Sequence, residues 1–296
     1  MITLNQLRKT YSGGVTALRG IDLDIGAGMF GLVGPNGAGK TTLMRILAGV
    51  VRPTSGRVLV LGHDLATAAG KRAVKAQLGY LPQALGLYPD LNAVEFLDYV
   101  ALLKGVADAA ARRAQVEQVL ALVRLSQVAG RRLKTYSGGM QRRVGIAQAL
   151  LGEPRLLIVD EPTAGLDPEE RVRLRNLLSE MAQRCTVILS THIVEDISQS
   201  CNDLAVIGQG QVLFHGRPRD LIGQARGHVW AVTTTTGQPP ADALSVVSSV
   251  QLESGTRYRV LGETLAAGAE PVEPTLEDGY MWLMQRLTAA PNLSPA

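Results

Sequence analysis

The sequence is poor in cysteine and has no long apolar run. Its 296 residues include only two cysteines. Cys185 and Cys201 fit neither the spacing of a metal site nor a disulfide framework, so we expect two reduced thiols. A membrane-spanning helix needs about 18 or more apolar residues in a row, and no such run occurs. Residues 1–5 lack the charged and then apolar pattern of a secretory signal. These absences predict a cytoplasmic protein that does not itself cross a membrane.

Charge of one sign is not concentrated in any part of the chain. The formal net charge is +4, from 30 Lys and Arg against 26 Asp and Glu. The densest basic groups are short and lie at 131–134 and 142–143. Nucleic-acid-binding proteins usually carry a basic stripe or patch. We therefore expect no nucleic-acid partner.

A complete phosphate loop follows an early apolar run. Residues 30–33 are apolar and end at a glycine, and the apolar residues after Lys40 have helical spacing. Residues 34–41 fit the pattern G-x-x-x-x-G-K-[ST], whose glycines let backbone N–H groups turn toward phosphate oxygens at a helix N-terminus. In this pattern Lys40 contacts the β- and γ-phosphates and the Thr41 hydroxyl ligates Mg²⁺. The predicted ATP-binding residues of this loop are Gly34, Pro35, Asn36, Gly37, Ala38, Gly39, Lys40, Thr41 and Thr42.

A second apolar run ends in two acidic residues. Residues 156–159 are all apolar, as in a buried strand, and Asp160 and Glu161 follow them. A carboxylate at a strand tip can hold Mg²⁺, directly or through water. We predict this role for Asp160. Glu161 is expected to act as the general base that polarises an attacking water, an effect worth roughly 10²- to 10⁴-fold in rate.

A second glycine-rich turn lies far from the first. Its sequence is Tyr136-Ser137-Gly138-Gly139-Met140, and it follows a block at 91–125 whose apolar residues have helical spacing. One nucleotide needs only one phosphate cradle per chain. Two cradles therefore suggest that two copies of the protein share the nucleotide.

Together these residues resemble the ATP-binding cassette (ABC) family over about residues 2–217. The resemblance implies that Ser137, Gly138 and Gly139 form the signature turn, which contacts the γ-phosphate of ATP held by the opposite subunit. Tyr136 and Met140 stand where the family most often has Leu and Gln, so the backbone cradle is retained while the side chain at position 140 departs from the family pattern.

Four further residues match landmarks of this family in order along the chain. Tyr11 lies where the family has an aromatic residue that stacks on adenine, although a surface tyrosine at a strand end is the alternative. Gln83 resembles the glutamine that contacts Mg²⁺ and water and links to the helical subdomain. Asp167 lies in the loop that crosses to the partner subunit. His192 matches the histidine that senses the γ-phosphate.

The resemblance also implies the fold. We expect an α/β protein with a phosphate-loop NTPase core, in which a mixed sheet is flanked by helices. The cassette would span 1–217, with a helical subdomain at about 84–145. Residues 218–296 would form a small α+β accessory domain, and the last residues, from 289, contain two prolines and are expected to be disordered.

The family implies an Mg²⁺-dependent ATP hydrolase that works as a homodimer or a paired cassette. It would power a separate membrane permease from the cytoplasmic face of the cell membrane. The segments at 87–95, 225–230 and 274–278 are similar to those of drug- and polymer-export cassettes, which favours export. The alternatives are a non-transport ABC ATPase acting on nucleic acid or ribosomes and a purely regulatory nucleotide-binding module. The short gap between the two glycine turns, the single cassette, Glu161 and His192 argue against them.

Overall fold

The computed structural model describes residues 1–163, 165–236, 238–241, 243, 245–263 and 268–289. The chain divides into two compact units, Met1–His215 and Gly216–Ala296. The division falls two residues before the expected boundary at 217/218. None of the helices in the described part of the chain is both long and apolar enough to cross a membrane.

The first unit contains ten strands and seven α-helices among the described residues. Its strands are β1 (Ile2–Thr10), β2 (Thr16–Ile25), β3 (Met29–Val33), β4 (Ser55–Val60), β5 (His63–Asp64), β6 (Leu78–Leu81), β7 (Leu156–Asp160), β8 (Thr186–Thr191), β9 (Asp203–Gly208) and β10 (Gln211–Gly216). Its α-helices are α1 (Lys40–Leu47), α2 (Ala68–Ala76), α3 (Ala93–Leu103), α4 (Ala109–Leu122), α5 (Gly138–Leu150), α6 (Pro168–Met181) and α7 (Val194–Ser198).

A six-stranded sheet forms the centre of this unit, in the order β10-β9-β3-β8-β7-β6. β3 pairs in parallel with β8 and β9, β7 with β8, and β6 with β7. All residues of β3, β7 and β8 are buried, which is why these strands are continuous apolar runs rather than alternating ones. A second sheet, β2-β1-β4-β5, is antiparallel. The two sheets and the flanking helices make the expected α/β fold.

The helical subdomain is inserted between β6 and β7 and consists of α3, α4, two short 3₁₀ turns and α5. α3 begins with a capping box: the Asn92 side chain accepts from the Glu95 N–H, and the Glu95 carboxylate accepts from the Asn92 N–H, both at 2.9 Å. Its apolar face buries Phe96 and Leu97. Such caps stabilise helices that the surrounding sheet does not support directly.

The second unit contains α8 (Pro218–Gly223), β11 (Val229–Thr234), β12 (Ser245–Leu252), β13 (Gly255–Leu261), β14 (Glu270–Pro271) and α9 (Leu276–Ala289). Its strands form one sheet in the order β12-β13-β11-β14. β11 pairs antiparallel with β13, and Val232 lies opposite Tyr258.

The small core of the second unit contains Val229, Leu261 and Trp282. Ala289 is the last residue of α9. The remainder of the segment expected to be disordered, 290–296, lies outside the described residues.

Candidate nucleotide-binding and catalytic site

Four predicted site regions meet at one edge of the six-stranded sheet. β3, β6, β7 and β8 are parallel, so their carboxyl ends lie at the same edge. Gly34 follows β3, Gln83 lies two residues after β6, Glu161 follows β7, and His192 follows β8. Ligands of open α/β sheets bind at this carboxyl edge, and the sequence places the candidate groups there.

The phosphate loop approaches other backbone closely at two glycines. A Cβ atom at Gly34 would lie 2.1 Å from the Ile207 carbonyl oxygen, and one at Gly39 would lie 2.6 Å from the Ala17 carbonyl oxygen. Gly39 also has a φ of 106°, in the left-handed region, immediately before α1 begins at Lys40. Any larger residue at these positions would displace the loop. The loop therefore holds its N–H groups at the positive N-terminal end of α1.

Lys40 is held inside this loop. Its side chain is nearly buried, with 6% exposed, and Nζ donates to the carbonyl oxygens of Gly34 at 2.6 Å and Pro35 at 3.2 Å. Burial lowers the pKa of Lys40 from its ordinary value, and the carboxylates of Glu161 and Asp160 oppose that shift. A buried cation with acidic neighbours suits the negative charge of a phosphate.

An open cavity of about 350 Å³ lies over the loop. The residues that line it are Ala17, Pro35, Asn36, Gly37, Ala38, Gly39, Lys40, Thr41, Thr42, Gln83 and Glu161. The cavity thus brings the predicted phosphate-binding residues together with two of the predicted catalytic residues, although they lie far apart in sequence.

Asp160 has a fully buried carboxylate. The residue is 0% exposed, and neither of its carboxylate oxygens has a hydrogen-bond partner among the described residues. A buried, unpaired carboxylate is costly unless a ligand completes it. In the described part of the chain no three His, Cys, Asp or Glu side chains cluster as a metal site. A single buried carboxylate, that of Asp160, fits Mg²⁺, because this ion is bound by one or two carboxylates together with phosphates and water.

Glu161 and His192 lie in direct contact. His192 Nδ1 is 2.8 Å from Glu161 Oε2, and the Glu161 side chain is 8% exposed while that of His192 is 57% exposed. His192 is not among the described residues that line the cavity, and its link to the cavity is this contact with Glu161. Glu161 has a φ of 51°, a left-handed conformation that is uncommon for a residue other than glycine and is frequent at functional sites.

Tyr11 is near the phosphate loop. Its hydroxyl is 3.2 Å from Thr42 Oγ1, its ring is 38% exposed, and Lys9 Nζ lies 5.0 Å from the ring centre. An exposed ring beside the loop is available for stacking.

The signature turn does not reach the cavity of its own chain. Ser137, Gly138 and Gly139 are absent from the described residues that line it. Ser137 is exposed and caps α5, since its Oγ accepts from the Met140 N–H at 3.3 Å. Asp167 also lies outside the cavity lining and caps α6, accepting from the Glu170 N–H at 2.8 Å. These residues are at exposed helix N-termini, where they can meet a second molecule.

Two buried residues next to the signature turn have contacts that the sequence analysis does not anticipate. The Tyr136 hydroxyl donates to the Val128 carbonyl at 2.8 Å, which ties the turn to the helical subdomain. Arg142 is buried, and its guanidinium donates to the Gln83 carbonyl after β6 and to the Asp160 carbonyl at the end of β7. A charged residue on the buried side of an amphipathic helix is the sequence signal for a buried arginine that binds backbone carbonyls. Arg142 does not give this signal clearly, because it lies in a basic pair, and such a pair is typical of a solvated helix face.

The comparisons with known proteins agree with this geometry. A family model described as "ABC transporter" matches residues 18–164. Nod factor export ATP-binding protein I of Cupriavidus metallidurans is 35% identical over 271 residues, which cover 90% of this chain and 85% of that protein. Linearmycin resistance ATP-binding protein LnrL of Bacillus subtilis is 33% identical, with 88% of this chain and 83% of that protein covered.

This chain belongs to the ABC transporter family. The cassette also resembles a solved structure, that of the ATP-binding cassette MJ0796 in a dimeric post-hydrolysis state bound to ADP and Pi. The TM-score is 0.68 at 26% identity, and the match covers 73% of this chain and 98% of that one. The first unit therefore has the fold of an ATP-binding cassette, as predicted.

Some relatives are much longer than this chain. The probable multidrug ABC transporter ATP-binding protein YbhF of Escherichia coli is 39% identical over 236 residues, which are 79% of this chain but 40% of that protein. The cassette thus spans less than half the length of that relative.

Proposed function

We propose that this chain is an ATP-hydrolysing subunit that pairs with a second cassette around two ATP molecules and powers a separate membrane permease. One observation carries the proposal: Lys40, Gln83 and Glu161 line one cavity, while Ser137 lies on an exposed turn outside it. A site with a phosphate cradle and a candidate base but without its signature turn is incomplete in one chain. A second copy would supply the missing turn.

The residues that line the cavity, together with Tyr11 and His192 beside it, divide the chemistry among them. The N–H groups of the phosphate loop and Lys40 bind the β- and γ-phosphates. Tyr11 stacks on the adenine. Glu161 accepts a proton from the attacking water, and Gln83 orients that water. His192, which contacts Glu161, holds the carboxylate in place and donates to the γ-phosphate.

The oxygen groups of Thr41, Gln83 and Asp160 would hold Mg²⁺. The bound ion would neutralise charge on the phosphate oxygens during transfer. The two partnerless oxygens of Asp160 support this assignment, because they need a cation or water to offset their burial.

ATP would act as the contact between two subunits. The γ-phosphate would bind Lys40 of one copy and Ser137, Gly138 and Gly139 of the other, with Asp167 at the interface. Hydrolysis breaks that bridge, so the dimer opens. The opening is useful only when a permease is attached to the cassettes, so the chain would lie at the cytoplasmic face of a membrane.

The names of similar proteins favour export as the direction. One is named for Nod factor export and another for linearmycin resistance. We extend the export role, but neither of those cargoes, to this chain. The second unit would be an accessory domain that contributes to dimer contact or regulation.

Co-expression with a membrane protein encoded beside this chain tests the proposal. The pair should purify together from membranes in detergent and hydrolyse ATP in the presence of Mg²⁺, and Glu161→Gln should keep the complex but stop turnover. A wild-type complex without ATP hydrolysis would refute the enzymatic part. Recovery of an active chain that never associates with membranes would refute the permease part.

A further inference from the structure

Arg142 is a buried cation at the centre of the catalytic loops. It lies on the first turns of α5 and is 6% exposed. Burial lowers the pKa of its guanidinium, and the carboxylates of Asp160 and Glu161 oppose the shift. A charged side chain is rarely buried without several partners, so its contacts indicate what it does.

The guanidinium joins two segments that belong to different strands. On one side Nη1 donates to the Gln83 carbonyl at 2.8 Å. On the other side Nη2 donates to the carbonyls of Asp160, at 2.9 Å, and Glu161, and Nε donates to the Pro162 carbonyl at 3.2 Å. The planar fork of an arginine can satisfy several acceptors at once, in fixed directions.

The second segment needs such support. Glu161 has a left-handed backbone with a φ of 51°, and its N–H donates to the Ser190 carbonyl at 2.9 Å. Strained backbone persists only where its surroundings hold it. Arg142 provides this support, because the carbonyls of residues 160, 161 and 162 all accept hydrogen bonds from its guanidinium.

The neighbouring Arg143 has different contacts. Its Nη2 is 3.3 Å from Glu170 Oε1, and its Nη1 donates to the Val123 carbonyl at 3.4 Å. The two arginines therefore serve different regions, and the contact with the catalytic loops belongs to Arg142.

We propose that Arg142 is a positioning residue that fixes the backbone of Glu161 relative to that of Gln83. The inference rests on the proposed function, in which these two residues handle the attacking water. Since α5 begins at the signature turn, Arg142 also links that turn to the candidate base of the same chain. A shift of the signature turn on meeting a second subunit would thereby reach Glu161.

The test compares Arg142→Met and Arg142→Lys with Arg112→Met. Arg112 is a matched control, because it also donates to two backbone carbonyls, those of Val106 and Ala107, and is partly buried in the helical subdomain. We expect kcat to fall about 30-fold in Arg142→Met, with the Kd for a fluorescent ATP analogue within about threefold of wild type. Arg142→Lys should lose about tenfold, because one ammonium group cannot join both segments. Arg112→Met should stay within about twofold of wild type.

A double variant separates positioning from general loss of structure. If Arg142 acts through Glu161, adding Arg142→Met to Glu161→Gln should change the single-turnover rate by less than about twofold. A loss as large as in the wild-type background would overturn the proposal. So would wild-type kcat in Arg142→Met. Should that variant fail to fold, Arg142→Lys decides the question by the same criteria.

Hydrogen exchange provides a readout that does not depend on turnover. The backbone amides of Gln83, Ala84, Asp160, Glu161 and Thr163 should exchange at least about tenfold faster in both Arg142 variants and be unchanged in Arg112→Met. Unchanged exchange at both segments would overturn the inference even if the wild type were inactive. An inactive wild type with faster exchange in the variants would instead overturn the proposed function alone.

Discussion

Two variants that are inactive separately should restore ATP hydrolysis when they are mixed. Lys40→Ala removes the cation from the phosphate loop, while Ser137→Arg blocks the signature turn that is expected to serve the opposite subunit. In a mixed dimer, the chain with Ser137→Arg still offers an intact Lys40, and the chain with Lys40→Ala still offers an intact Ser137. One of the two sites is then complete.

Random pairing of the two variants sets how much ATP hydrolysis is recovered. Random pairing of equal amounts makes half of the dimers mixed, and each has one intact site of two, so activity should reach at most about a quarter of the wild-type value. The Ser137 substitution itself should cost little stability. The side chain is exposed and makes a 3.3 Å cap bond, and losing a cap costs about 1 kcal/mol. That corresponds to a fall in Tm of about 2–4 °C for a unit of this size.

The assay is steady-state phosphate release at a constant total protein concentration. The variants are combined before ATP and Mg²⁺ are added, so that subunits can exchange. Ser137→Arg alone should bind a fluorescent ATP analogue with the wild-type Kd, because Ser137 does not line the cavity. Lys40→Ala alone should not bind it measurably.

The mixture distinguishes a shared site from a site completed within one chain. If each chain completed its own site, mixing would give no more than the sum of the separate rates. That result, obtained with both variants folded and with Ser137→Arg binding the nucleotide, would refute the shared site.

Three further predictions concern the base, the stability at alkaline pH and the second unit. Glu161→Gln should lower kcat at least about 100-fold while ATP binding is retained and an ATP-bound dimer elutes in size-exclusion chromatography; unchanged hydrolysis would contradict the assignment. Burial lowers the pKa of Lys104 from 10.5 to about 8, so between these values the unfolded chain binds more protons and the contribution of Lys104 to stability should rise with pH by up to about 3 kcal/mol. Burial raises the pKa values of Cys185 and Cys201, which lowers stability above pH 9 in both proteins, so the measurement is the difference in urea-unfolding free energy between the wild type and Lys104→Met. That difference should shift in favour of the wild type by about 2–3 kcal/mol from pH 7.5 to 10, and parallel changes would disprove it. Asp278→Ala should destabilise the second unit by about 2–3 kcal/mol, because it removes a buried carboxylate that accepts from Arg259, at 2.5 Å, and from the Thr275 N–H; the Arg259 side chain is 26% exposed, so water partly hydrates the cation that is left. Both tryptophans lie in this unit, so their fluorescence follows its unfolding, and the exposed Glu277→Ala is the control; equal effects of the two substitutions would oppose the argument.

The strands and loops at the site could be predicted because their signals are local. An apolar run followed by a glycine loop or by two acids predicts β3 with its loop and β7 with Asp160 and Glu161, as observed. Parallel pairing then brings these ends to one edge of the sheet. The same argument holds for His192 after β8.

Other parts of the fold have weak local signals. Neither α2 nor β12 has a clear apolar period, because each is short or largely exposed. In α9, Trp282 is buried whereas Leu287, five residues later, is 46% exposed. The facing sheet decides which side of a short helix is covered, and that sheet is assembled from residues distant in the chain.

The sequence by itself determined the chemistry of this protein: a phosphate loop, an acidic strand end and a second glycine turn, each defined by residues close together in the chain. Only the tertiary structure decided how these groups are joined. It brought Gln83 and Glu161 into one cavity with Lys40 and left Ser137 outside that cavity. It also placed the Arg142 guanidinium within hydrogen-bonding distance of backbone carbonyls about 20 and 60 residues away in the sequence. The contacts of Arg142 are hydrogen bonds to backbone carbonyls, which every residue type has. No pattern of side chains in the sequence therefore predicts them.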